Sequence, residues 1–113
     1  MLQDGTLVVV ILDALDYEMS ENAPGEVAKL SKLPSEYFRS NIYATFWFEN
    51  FRNRLPELVN AVGEDNILFE TDFPHPTCLY PDPVGSVEAK MATLTPEARK
   101  KIYGENARTL YRL

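Results

Sequence analysis

Two short apolar runs separated by one helical pattern limit what this chain can fold into. The first run, Asn41–Glu49, is apolar or β-favouring on both alternating faces, and the second is Asn66–Asp72. Between them lie apolar residues at helical spacing, a proline near the start and a glycine at the end: Leu55, Pro56, Leu58, Val59, Val62 and Gly63. Runs that are apolar on both faces are typical of parallel strands, so the pattern predicts a parallel βαβ unit and an α/β fold.

The N-terminal third gives a weaker pattern. Thr6–Leu12 is rich in Val and Ile, which favours a strand, although a buried helix running on to Met19 has the same apolar content. Ser20–Ser35 contains two prolines and a glycine among polar residues and is predicted to be a connecting segment with one helical turn at Glu26–Leu30.

From Val84 onwards the pattern is helical. Thr95 and Pro96 suit the N-cap and first position of a helix. Gly104 is expected to end that helix before Asn106 begins the last one.

Composition narrows the class of protein. The chain has 113 residues, 45% hydrophobic and 25% charged, as expected of one folded domain spanning 1–113. Its net charge of −6 disfavours nucleic acid and anionic membranes as partners. Cys78 is the only cysteine, and the apolar run Leu7–Leu12 is far shorter than the roughly 20 residues that cross a bilayer. These features predict a cytoplasmic location.

Asp72 is the strongest candidate for a functional residue. A carboxylate at the carboxyl end of a buried parallel strand points towards the crevice where α/β folds bind ligands, and there it could ligate a metal or accept a proton. Alternatively, it could only cap the turn before Phe73 and Pro74. His75, the only histidine, lies three residues later and could face the same pocket, or it could be structural or solvated.

Three other features, a cysteine, an acidic cluster and an aromatic block, each allow a functional and a purely structural interpretation. Cys78 could be a ligand or nucleophile, but a small, buried apolar residue is the simpler interpretation. The acidic cluster Asp13, Asp16 and Glu18 could bind a hard cation or form a solvated helix face. The aromatic block could line a pocket, with Trp47 facing it, or belong to the core; its members are Tyr43, Phe46, Trp47, Phe48 and Phe51.

Three segments, in order, carry a resemblance to a known family: PSEYFRSNIYATF, ILFETDFPHP and the closing LTPEARKKIYGENARTLYRL. Over residues 34–113 the chain resembles the C-terminal part of the amidohydrolase-related family that includes aminocarboxymuconate semialdehyde decarboxylase-like enzymes. The resemblance implies part of a (β/α)8 barrel, with Ile42–Phe48 as strand seven and Asn66–Asp72 as strand eight.

The same resemblance implies a metal-dependent hydrolase or decarboxylase acting on a small, carboxylate-bearing or cyclic substrate. Asp72 would then be the metal residue, with zinc the expected ion, and Asp72 and His75 the catalytic residues. The family's His-x-His pair is missing, and a (β/α)8 barrel typically needs about 250 residues. The isolated chain is therefore expected to be catalytically incomplete.

Two other hypotheses remain. The chain could be a non-catalytic fragment that self-associates or completes another barrel, because two lone parallel strands leave edges unpaired. It could also be a receiver-like signalling module, if Val8–Asp13 were a strand ending in an acidic residue.

Overall fold

The computed structural model describes residues 5–46 and 55–113. Over these residues the chain forms helices around a small parallel sheet. The helices are α1 (Gly5–Tyr17), α2 (Pro24–Val27), α3 (Pro34–Asn41), α4 (Leu55–Val62), α5 (Pro83–Met91), α6 (Pro96–Lys100) and α7 (Asn106–Tyr111), and the strands are β1 (Ala44–Phe46) and β2 (Ile67–Phe69).

The predicted parallel βαβ unit is confirmed. Strands β1 and β2 pair in parallel, with Ala44 opposite Ile67 and Phe46 opposite Phe69. Both strands begin later than predicted because the preceding residues have other roles: Asn41 ends α3, and Asn66 closes a tight helical turn. The predicted end of the first strand, residues 47–49, lies outside the described residues. The Asn66 side chain donates to the carbonyl oxygen of Ile42 at 2.9 Å, which joins the two strands at their amino ends.

Helix α4 forms as the sequence predicts. Its residues Leu55, Leu58 and Val62 are fully buried, because their spacing of three and four places them on one face. Gly63 follows with a φ of 95°, a conformation that a glycine adopts without steric cost.

The strand favoured for Thr6–Leu12 is wrong, since these residues lie within helix α1. Val8 and Leu12 are buried against the core four residues apart, a spacing that suits a helix packing by one stripe. Helix α1 packs on α3 and α4. Without a strand at Val8–Asp13, the receiver-like hypothesis loses its basis.

The helical turn expected at Glu26–Leu30 is shifted towards the N-terminus. Helix α2 covers Pro24–Val27, because the fixed φ of proline suits the first turn of a helix.

Later in the chain, the Asp82 side chain accepts a hydrogen bond from the Gly85 N–H at 3.0 Å and caps helix α5.

The C-terminal helices agree with the prediction at their start and differ at Gly104. Thr95 caps helix α6, its hydroxyl accepting from the Ala98 N–H at 3.1 Å. Gly104 does not end the helix: a wide, π-helical turn, Lys101–Glu105, connects α6 directly to α7. Burial explains the continuation, because Ile102 and Asn106 both face the protein interior.

The core lies between the sheet and the helices. It consists of Val8, Leu12, Phe38, Ala44, Phe46, Leu55, Leu58, Val62, Ile67, Val87, Met91 and Ile102. Within residues 5–46 and 55–113, none of the helices has both the length and the apolar character needed to cross a membrane.

Candidate active site at the end of the second strand

Asp72 lies three residues beyond the end of β2, where the chain turns sharply. Its backbone adopts the left-handed conformation, with a φ of 57°, which is uncommon for residues other than glycine and most tolerated by asparagine and aspartate. Its side chain is 20% exposed. The Asp72 carbonyl oxygen accepts from the His75 N–H at 2.8 Å, so the turn brings the aspartate and the histidine together.

The side chains of Asp72 and His75 also meet. Oδ2 of Asp72 lies 3.3 Å from Nδ1 of His75, whose side chain is 58% exposed. The structure thus brings together the two residues that the sequence predicts as catalytic. A half-shielded carboxylate beside a more accessible imidazole is an arrangement that can hold or pass a proton.

Thr77 is a partner of His75 that sequence reasoning missed. Its hydroxyl lies 2.8 Å from Nδ1 of His75, and its backbone N–H donates to the same nitrogen at 3.3 Å. Because Nδ1 accepts from the Thr77 N–H, this contact fits an imidazole that carries its proton on Nε2. The one signal in the sequence for this contact is that a threonine follows the histidine two residues later.

Backbone hydrogen bonds fold the loop after Asp72 back on itself. The Cys78 N–H donates to the His75 carbonyl at 3.0 Å, and the Leu79 N–H donates to the Thr71 carbonyl at 3.1 Å. The Thr71 hydroxyl accepts from the Phe73 N–H at 3.3 Å. Residues 71–79 therefore form a closed loop, with Asp72 next to its closing bond and His75 in its middle.

Glu70 and Thr45 contribute polar atoms that sequence reasoning also missed. Thr45 lies opposite Leu68 in the sheet register, and Glu70 follows Leu68 by two residues, so all three share one face of the sheet. Oγ1 of Thr45 and Oε1 of Glu70 are buried without a hydrogen-bond partner among residues 5–46 and 55–113. Buried polar atoms are normally paired, which marks this face as one that could accept a polar neighbour.

The other sequence candidates have structural roles or lie outside the site. Cys78 is half-buried and contributes a backbone hydrogen bond. In the acidic cluster, Asp16 accepts from the Ser35 N–H at 2.9 Å at the start of α3. Glu18 accepts from the Asn22 side chain at 2.6 Å, and Asp13 is exposed, which favours the interpretation as a solvated helix face.

The aromatic block is only partly described. Phe46 is fully buried and its ring centroid lies 5.8 Å from that of Phe69, so it belongs to the core. Tyr43 is half-buried. The remaining members, Trp47, Phe48 and Phe51, lie outside the described residues, and the pocket-facing role of Trp47 stays a prediction.

The described residues do not make a complete metal site. In residues 5–46 and 55–113, no three acidic, histidine or cysteine side chains are grouped so that they could hold an ion. Asp72 and His75 together offer one carboxylate and one imidazole, whereas zinc sites use three or four protein ligands. The pair could therefore supply only part of the coordination of an ion, and other groups would have to supply the remaining ligands.

The chain is an α/β protein that presents a carboxylate and an imidazole beyond the carboxyl end of a parallel strand. The chain belongs to the amidohydrolase family: the sequence profile described as Amidohydrolase matches residues 18–113. That family is generally enzymatic and usually binds divalent metals. No curated protein matches the chain.

Proposed function

We propose that this chain supplies the part of an amidohydrolase-type active site that contains Asp72. The site would act in a metal-dependent hydrolysis or decarboxylation of a small carboxylate-bearing or cyclic substrate. The observation that carries the proposal is the 3.3 Å approach of the Asp72 carboxylate to His75 at the end of β2. Membership of the amidohydrolase family supports the class of reaction. The fuller architecture we propose is a (β/α)8 barrel of the decarboxylase-like subgroup, with β1 and β2 as its strands seven and eight, in a cytoplasmic protein.

The residues of this chain have distinct parts in that proposal. Asp72 is the ligand on this side of the ion, expected to be zinc, or the group that accepts a proton from the substrate. His75 handles a proton at Nε2, because Thr77 occupies its Nδ1. Residues 5–46 and 55–113 hold no group of three possible ligands, so the additional ligands would come from groups other than these.

Native mass spectrometry with added zinc tests the proposal. Wild-type chains that assemble, and so supply ligands from more than one copy, should bind zinc, and Asp72→Asn should lose it, because the amide lacks the negative charge that zinc favours in a ligand. Asp13→Asn is the matched control, since it removes the same charge from an exposed part of α1. Zinc binding that survives in Asp72→Asn as well as in the control would overturn the assignment of Asp72.

A second candidate function is assembly, favoured by an apolar stripe on α1. Leu7, Val10, Ile11 and Leu15 are 52%, 60%, 41% and 45% exposed, and their spacing places them together on the helix surface. Contiguous exposed apolar surface is typical of interaction sites. The sheet, with two strands among the described residues, also leaves outer edges that a further strand could pair with.

Light scattering over a range of protein concentrations tests this second candidate. We expect the wild-type chain to be a dimer or larger, and Val10→Glu to shift it towards the monomer. Ser20→Glu is the control, because it adds the same charge at an exposed polar position. A wild-type chain that stays monomeric at every concentration would rule the assembly role out for the isolated chain.

A further inference from the structure

The apolar stripe on helix α1 is edged by carboxylates. Val10, Ile11 and Leu15 are 60%, 41% and 45% exposed. Asp13 follows Val10 by three residues and Glu18 follows Leu15 by three, so both acids lie next to the stripe. Helix α1 and the helical turn that follows it contain no lysine or arginine. The five residues named here form the acidic surface of the protein.

The C-terminal helix α7 carries a second exposed apolar patch, and this one is edged by arginines. Leu110, Tyr111 and Leu113 are 37%, 62% and 82% exposed. Arg108 precedes Tyr111 by three residues, which places them side by side, and Arg112 follows Tyr111 directly. Both arginines are exposed, and neither forms an ion pair within the part of the chain that the structure describes. These five residues form the basic surface.

The acidic surface and the basic surface belong to different parts of the fold. Helix α1 packs on β1, α3 and α4, whereas α7 packs on β2 and on the wide turn before it. The apolar residues of both surfaces are exposed in the same structure. Neither surface therefore covers the other within one copy of the chain.

We propose that the acidic surface of one copy binds the basic surface of a second copy, head to tail. Each surface has an apolar centre that leaves water in this contact, and the charged edges of the two surfaces are opposite in sign. Two copies of the same surface match less well, because their like charges would face each other. The net charge of −6 makes copies repel one another in most orientations, and the basic surface offers an approach that is attractive.

This inference rests on the assembly role proposed above and goes further by naming the surface that covers α1. A contact between two different surfaces leaves one of each kind free in a pair of copies, so it continues into a ring or an open chain. A contact between two α1 stripes would stop at a dimer instead. Assembly should therefore pass beyond the dimer as the protein concentration rises.

Charge reversal tests the match in sedimentation velocity at several protein concentrations. The acid-reversed variant carries Asp13→Lys and Glu18→Lys, and the base-reversed variant carries Arg108→Glu and Arg112→Glu. Each variant alone should associate roughly tenfold more weakly than wild type, because like charges then meet in the contact. An equimolar mixture should regain association, because the reversed surface of one variant matches the reversed surface of the other.

Net charge alone does not produce these results. Acid reversal brings the net charge closer to zero, which by itself favours association, so a loss in that variant reports the local mismatch. Glu88→Lys on α5 and Lys32→Glu before α3 are the matched controls, because they reverse exposed charges outside both surfaces. Both controls should associate as wild type does. Circular dichroism should show the same helical content in all variants.

The outcomes separate this inference from the assembly role. Wild-type assembly that persists unchanged in the base-reversed variant would retain the assembly role and overturn the head-to-tail contact. A mixture that does not regain association would overturn that contact as well. A wild-type chain that stays monomeric at every concentration would reject both.

Discussion

The Asn106 side chain donates a hydrogen bond to the carbonyl oxygen of Ile67 at 2.8 Å. The same amide nitrogen donates to the Glu64 carbonyl at 2.7 Å. Asn106 is 6% exposed, so water does not compete for these bonds. One side chain of the last helix therefore satisfies one backbone group in the turn before β2 and one at the start of β2, the strand that leads to Asp72.

Replacing Asn106 should destabilise the fold. We expect Asn106→Leu to lower the free energy of unfolding by about 1–3 kcal/mol, because two buried carbonyls lose their donor. Urea denaturation followed by circular dichroism measures the change. Asn22→Leu is the control: Asn22 is exposed and bonds to Glu18, four residues earlier, so a change within about 0.5 kcal/mol is expected. Equal losses in the two variants would contradict the role given to Asn106.

Two glycine substitutions should have opposite effects. Gly63→Ala should lower the free energy of unfolding by about 1–2 kcal/mol, because Gly63 has a φ of 95° that an alanine adopts only with strain. Gly25→Ala should raise it by about 0.4–1 kcal/mol, since Gly25 lies in helix α2 and an added Cβ meets nothing within 4 Å. The same denaturation measurement compares both variants, and the same sign for both would be the contrary result.

The left-handed backbone conformation of Asp72 should lower the stability of the fold. Its φ of 57° suits glycine, so Asp72→Gly should be more stable than Asp72→Ala by about 1 kcal/mol. Both variants remove the carboxylate and should lose zinc in native mass spectrometry. Thermal denaturation ranks their stabilities. If Asp72→Ala proved as stable as Asp72→Gly, the strained turn at Asp72 would be excluded.

Stability should decline at alkaline pH partly through Tyr103. Burial raises the pKa of Tyr103 above its ordinary value of 10.0, and the nearby Glu88 carboxylate raises it further. Because the folded pKa is the higher one, this contribution is complete below the unfolded pKa and is lost as the pH rises through the folded pKa. Lys101 acts with the same sign, since hydrogen bonds to Asp65 and Glu64 raise its pKa.

Tyr103→Phe isolates the tyrosine contribution. The variant keeps a ring in edge contact with Phe69, whose centroid is 5.8 Å away, and should lose less stability than wild type between about pH 9 and pH 11. Tyrosinate absorbance should show that the variant lacks a late-titrating tyrosine. Tyr111→Phe, at an exposed position, is the control. A wild-type alkaline decline in Tyr103→Phe would contradict the assignment.

Residue type and spacing along the sequence predicted those elements whose formation depends on neighbouring residues. The strands around Thr45 and Leu68, the helix ended by Gly63 and the cap at Thr95 each follow from residue type and spacing. The N-terminal run Thr6–Leu12 could not be assigned in the same way, because a short run of Val and Ile suits both a strand and one buried helix stripe. Its packing on α3 and α4 decided for the helix.

The candidate site was predicted in its residues but not in its surroundings. The spacing of Asp72 and His75 indicated that they could share a pocket, and the structure places them in contact. The approach of Thr77 to His75 and of Tyr80 to Phe73 depends on how the loop folds back. A pattern of residue types does not encode such a path.

The wide turn at Lys101–Glu105 has a consequence for sequence changes in the C-terminal helix. A π-helical turn holds one residue more than an α-helical turn, so deleting a single residue there, such as Gly104, would leave a regular helix. Each residue of a regular α-helix accounts for about 100° of rotation, so a deletion there would turn the residues that follow. The wide turn already absorbs one extra residue, so the deletion would leave Asn106 directed towards Ile67. The loss of one codon in this segment would therefore keep the last helix joined to the strand that leads to the candidate site.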